Sequence, residues 1–201
     1  MIEKRNQAAL AYLELAGDQV FQKLPEKSKI KLIREVLAIG KKAADQILKE
    51  HKTGDPRRIA TNRGLKVLGG ERQKGKKRGV ERGAEYQKGK KEITVYRRFN
   101  ERLIKEVKSS ELSDNLIKFM VAHELFHFLE ADQLGAVYKR FKFPVWRFGP
   151  FACENYIKGL SNVAAQAFTR TLLGLEFSPQ VFDYLAYILY TAQALLCYNS
   201  I

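Results

Sequence analysis

A chain of 201 residues, 45% hydrophobic and 29% charged, is long enough to bury a sizeable core and reads as one globular domain, 1–201. Two cysteines, Cys153 and Cys197, exclude a disulfide framework and any metal-type cysteine spacing, so a reducing, cytoplasmic setting is expected. The formal charge of +14 excludes an acidic protein and raises the question of an anionic partner.

No targeting or membrane segment is expected. Lys4 and Arg5 precede an apolar run, but Glu14 breaks it early, as in an amphipathic helix. The stretch from Tyr184 to Tyr198 contains Thr191 and Gln193 and is too short to span a bilayer.

Residues 1–23 predict a first helix with Leu10, Leu13 and Val20 among its apolar positions. After Pro25, apolar residues from Ile30 to Leu48 recur at helical spacing, and Lys and Arg fill the other face. Gly54 can close that helix, Asp55 can cap the next, Pro56 suits its first position, and Gly64 can stop it. Leu65–Leu68 then reads as a strand.

Between Lys66 and Lys91 the chain carries ten Lys or Arg against three Glu, a net charge of +7 and so half of the net +14, whereas no Lys or Arg follows Arg170. Residues 69–83 read as an exposed basic loop. No DNA-binding motif accompanies the charge, so a solvated loop is favoured over a nucleic-acid partner. Ala84–Gln87 and Glu92–Tyr96 flank a Gly-containing turn and predict a hairpin, completing a small sheet of about three strands. An open edge of such a sheet can take an extended peptide as an added strand.

Residues 100–108 predict a short basic helix. Ser110 or Ser113 can cap a long helix that runs to Gly135. Residues 136–153 are dense in aromatics, either a packed connection or a wall over a cleft. Phe151 to Leu173 predicts a further helix, bent near Gly159 and stopped by Gly174. Ser178-Pro179 opens a last one. Three segments follow: 1–53, N-terminal helices; 54–108, short helix, basic loop and hairpin; 109–201, the long helix and C-terminal helices. The fold class is α+β, mostly helical.

The chemistry is concentrated in His123-Glu124-Leu125-Phe126-His127, which holds two of the three histidines of the chain. Four residues apart on a helix, both imidazoles can point at one atom, the arrangement that binds Zn²⁺. Glu124, beside the first ligand, can take a proton from water. An unligated histidine pair plus a glutamate on a face rich in Leu and Phe would be costly to bury, which favours a metal site over a core histidine pair.

Gly54-Asp55-Pro56-Arg57-Arg58-Ile59-Ala60 with Gly64-Leu65-Lys66-Val67, the hairpin, the HELFH helix, and Ala165-Gln166-Ala167-Phe168-Thr169-Arg170 together resemble the ImmA/IrrE-type metallopeptidases. The resemblance covers roughly residues 25–175 in family order. It implies a zincin-like, zinc-dependent endopeptidase, and a protein or peptide substrate such as a transcriptional repressor in bacteria.

The family's third zinc ligand is a glutamate a few residues before the Phe of the later helix. Ser161, Asn162, Val163, Ala164 and Ala165 stand there instead, none of them acidic. Asn162 occupies the expected place but offers only an amide oxygen, a poor ligand for zinc. Glu154, two helical turns upstream, is the favoured protein candidate. Glu130, one turn after His127, better suits orienting that histidine. Absence of a third protein ligand is the remaining alternative. Two functions follow: a peptidase with metal ligands His123, His127 and Glu154 and with Glu124 as base, or a non-catalytic regulatory or nucleic-acid-binding module on the same fold.

Overall fold

The computed structural model describes residues 2–70, 83–96, 110–148 and 151–181. Helices dominate. They are α1 (Ile2–Leu15), α2 (Gln19–Gln22), α3 (Glu26–His51), α4 (Pro56–Asn62), α5 (Ser110–Leu129) and α6 (Gly159–Leu172). Strands β1 (Lys66–Gly70), β2 (Ala84–Gln87) and β3 (Glu92–Tyr96) form one sheet, and β4 (Phe143–Phe148) and β5 (Phe151–Asn155) a second, two-stranded one. The expected α+β class and the small three-stranded sheet are both found.

The first helix is divided where one was expected. α1 ends at Leu15, and Asp18 restarts the chain by accepting the N–H groups of Val20 and Phe21. α3 follows the apolar periodicity and runs three residues past its last apolar position, Leu48. Its end is closed by Lys52 in the left-handed region (φ 51°), whose N–H bonds to the Leu48 carbonyl, and not by Gly54. Gly54 meets a different demand, because a Cβ there would lie 2.8 Å from the Leu172 carbonyl oxygen. The start of α4 is as expected: Asp55 accepts the Arg57 N–H at 2.9 Å and Pro56 takes the first turn.

The core forms where α3, α5 and α6 meet. Val36, Ala44 and Ile47 of α3 are buried with Ala164 and Phe168 of α6, and Phe126 of α5 lies 5.4 Å from the Phe168 ring. α5 is buried almost all round, through Val121, Ala122, Leu125, Phe126, Phe128 and Leu129. Along Val121–Leu129 only the motif side chains His123, Glu124 and His127 are half-buried.

The three-stranded sheet has the order β1-β3-β2, with β1 parallel and β2 antiparallel to β3. β2 is therefore an edge strand, and α5 packs beside it. A 3₁₀ turn over Lys88–Lys90 joins the hairpin, and Lys91 (φ 51°), not Gly89, takes the left-handed position.

The region after α5 departs most from expectation. The helix does not run directly to Gly135 but widens into a π-turn over Glu130–Leu134. The aromatic segment folds into the β4–β5 hairpin, with a register shift between Pro144 and Trp146. Phe151–Asn155 is thus a strand and not the start of a helix. α6 begins at Gly159, where a Cβ would meet Leu15 at 2.9 Å. The expected basic helix at 100–108, most of the basic loop at 69–83 and the last helix beyond Val181 lie outside the described residues. Among the described residues no helix is long and apolar enough to cross a membrane.

Candidate metal and peptide site

α5 carries His123, Glu124 and His127, and its helical turn brings the two imidazoles together. Their Nε2 atoms face each other at 3.2 Å. The far nitrogen of His127, Nδ1, lies 2.9 Å from Oε2 of Glu130. Glu130 is buried, and its other oxygen accepts the Val137 N–H at 2.7 Å and the Ser161 hydroxyl at 2.6 Å. Burial pushes this carboxyl up, but the hydrogen bonds from His127, Ser161 and Val137 outweigh it and hold the group below the usual carboxylate range.

An ionised Glu130 can only accept, so Nδ1 of His127 carries a proton, and in the neutral ring Nε2 then presents a lone pair to His123. The 3.2 Å contact then closes in either of two ways. His123 donates an Nε2–H to His127, or both nitrogens aim lone pairs at one cation. Two imidazoles on a tetrahedral Zn²⁺, each about 2.0–2.1 Å from the ion, stand about 3.3–3.4 Å apart, so the observed separation fits a metal pair with little adjustment. The carboxylate behind His127 is the usual partner of a metal-bound histidine.

Glu124 points elsewhere, to the sheet. Its Oε2 accepts the backbone N–H of Tyr86 on β2 at 2.7 Å. The register explains why that N–H is free of β3. Tyr96 donates to the Gly83 carbonyl at 2.8 Å, and the antiparallel pairing alternates from there. Ala84 and Tyr86 consequently turn their N–H and C=O groups away from β3, towards the open edge. The Tyr86 ring packs edge-to-face on Phe128 of α5, 5.8 Å between centroids, which fixes the edge against the motif helix. Burial and the negative charge of Asp132 push the Tyr86 phenol up, so it stays protonated at neutral pH.

The remaining ligand candidates are engaged with other partners. Glu154 is exposed on β5, where it pairs with Lys142 at 2.9 Å. Asn162 is exposed on α6 and hydrogen-bonded to Glu14 of α1. Among the described residues no three His, Cys, Asp or Glu side chains gather into a group that could hold a metal ion. The site therefore offers two first-rank ligands, His123 and His127, with Glu130 behind one of them. Sequence reasoning overlooked the backbone N–H groups of Tyr86 and Val137, which carry no side-chain signal. It registered Ser161 only as a missing acid, and the structure gives that residue a place beside Glu130.

Compared with protein-family models, with curated proteins and with solved structures, the chain finds no match in any of the three.

Proposed function

We propose that the protein is a zinc-dependent, zincin-like metallopeptidase of the ImmA/IrrE type that hydrolyses a peptide bond in a protein partner. The observation that carries this reading is the 3.2 Å Nε2–Nε2 approach of His123 and His127 on a helix whose Glu124 reaches an open strand edge. His123 and His127 would hold the ion, and Glu130 would keep the second imidazole in its metal-binding tautomer. Zn²⁺, when bound, supplies the Lewis acidity that makes water a nucleophile near neutral pH.

The chain's own groups do the rest. An extended peptide pairs with the outward N–H and C=O groups of Ala84 and Tyr86 and so comes to lie beside Glu124. Glu124 gives up the Tyr86 N–H to the incoming strand, accepts the proton of the attacking water and returns it to the leaving amine. A reducing cytoplasm and a repressor-like substrate belong to the same proposal.

Elemental analysis of purified, tag-free protein beside His123→Ala tests it. Near-stoichiometric zinc, lost in the variant, is expected. Glu154→Gln and Glu130→Gln in the same series separate a direct third ligand from an orienting group. Failure of the wild-type chain to take up zinc, even when zinc is supplied, would overturn the hydrolase reading.

A further inference from the structure

We infer that the solvent face of α3 is a binding surface for the phosphate backbone of a nucleic-acid duplex. Lys27, Lys31, Arg34, Lys41, Lys42 and Lys49 are all exposed on this helix. At about 100° per residue the six fall within roughly 100° of the helix circumference, directly opposite the stripe that packs on α6. Between Lys27 and Lys49 the rise of about 1.5 Å per residue amounts to roughly 33 Å, close to one turn of a B-form duplex.

Two features separate this face from an ordinary solvated one. The first is that its charge is largely uncompensated. Among the described residues only Lys31 of the six has an acid within ion-pairing distance, Glu35 at 3.9 Å, and Asp45 is the one acid within the stripe itself. Lys27, Lys31 and Arg34 also stand on successive turns, a spacing at which like charges repel. A polyanion removes that cost.

The second feature is the lack of an apolar anchor. A protein partner is gripped by aromatic or aliphatic side chains at the centre of the contact. Here Ile30, 47% exposed beside Lys27 and Arg34 in a shallow depression, is the one large apolar side chain exposed on α3. A long, narrow, rigid row of cations with little apolar content fits phosphates. The row is held straight because the opposite face of α3 is locked to α6 through Val36, Gly40 and Ala44. This surface stands independently of the metal-site reading.

Fluorescence anisotropy with a labelled 24-base-pair DNA duplex of arbitrary sequence, and with the RNA duplex of the same sequence, tests the inference between 50 and 200 mM KCl. The wild-type chain is expected to bind with a steep salt dependence. The variant K27E/R34E/K41E should weaken binding at least tenfold at 100 mM salt and reduce the salt slope by roughly two to three, about 0.9 per lost phosphate contact. K27Q/R34Q/K41Q should give a smaller loss in the same direction, with an unchanged circular-dichroism melt to exclude misfolding. The tighter of the two duplexes identifies the source of the phosphates.

A second triple variant, K74E/K76E/K77E, controls for the other basic stretch of the chain. Should that variant abolish binding while both α3 variants keep wild-type affinity and slope, the inference is overturned. Displacement of the duplex by polyglutamate at equal charge concentration, as effective as by unlabelled duplex, would overturn it in favour of an acidic protein partner.

Discussion

Ser161 donates its hydroxyl to Oε1 of Glu130 at 2.6 Å, joining the first turn of α6 to the π-turn that ends the motif helix. Through Glu130 this bond reaches His127, so a residue of α6 bears on the orientation of an imidazole on α5 by way of that carboxylate. Replacing Ser161 by Ala removes one of three hydrogen bonds to a buried carboxylate. A loss of about 1.5–3 kcal/mol is expected, the range for hydrogen bonds to charged groups. Urea unfolding of the metal-free protein measures it. Under the metal-site reading Glu130→Gln should weaken zinc binding roughly 10–100-fold, as loss of an orienting carboxylate does, and Ser161→Ala less. Unchanged zinc release in both variants would show that Glu130 is purely structural.

Glu124 has one structural role, its bond to the strand edge, and under the peptidase reading a second, catalytic one; substitutions distinguish them. Its carboxylate accepts the Tyr86 N–H, so Glu124→Ala leaves that half-buried donor without this acceptor, at an expected cost of about 1–3 kcal/mol. Glu124→Gln keeps an acceptor oxygen and should melt within about 1 kcal/mol of wild type. Under the peptidase reading the Gln variant also keeps zinc and loses roughly 10²–10⁴ in peptide hydrolysis, the usual share of a general base. Equal stability of the Ala and Gln variants would mean that the link between the helix and the strand edge contributes nothing.

Much of this architecture was legible in the chain. Asp55 and Pro56 announce α4, and the spacing from Ile30 to Leu48 announces α3. Gly64 and Gly174 stop their helices with φ of 72° and 63°. Each of these signals is local. Other features depend on pairing and side-chain partners, which local spacing does not report. Phe151–Asn155 is apolar enough for either a helix or a strand, and only pairing with Phe143–Phe148 selects the strand. The motif itself is local and was found, whereas the bond between Glu130 and Ser161 spans 31 residues and follows no spacing rule. Tyr86 enters the site through its main-chain N–H, which every residue but proline has.

The α3–α6 contact makes a sharp stability prediction. A Cβ at Gly40 would lie 2.1 Å from the Ala164 carbonyl oxygen and 2.9 Å from the Ala167 Cβ. The first neighbour is backbone, so a helix must move. Gly40→Ala forfeits the gain in helix propensity of about 1 kcal/mol that alanine normally brings. Overpacking of this kind costs about 1–3 kcal/mol. Gly17 is the control, since a Cβ there meets nothing within 4 Å and its φ is not in the left-handed range. Gly17→Ala should be neutral or stabilising by up to about 1 kcal/mol. Equal melting of the two variants would show that α3 and α6 have room to separate.

Asp114 couples α5 to α4, and its protonation supplies a pH test. It accepts Lys118 at 2.9 Å and Arg57 at 3.1 Å. The hydrogen bond from Lys118, helped by the charges of Arg57 and Lys118, holds the carboxyl below its usual value of 3.8. A carboxyl depressed in the folded state binds its proton more weakly there than in the unfolded chain. Its stabilisation is therefore complete above about the unfolded value and is lost as pH falls through the folded one. The side chain is 48% exposed, so solvent screening keeps the contribution under about 1 kcal/mol. Urea midpoints of wild type and Asp114→Asn should differ by this small amount at pH 6 and converge as the pH falls through the depressed folded-state value. A gap that stays constant over that range would mean that the ion pairs are irrelevant and that the asparagine acts through helix packing alone.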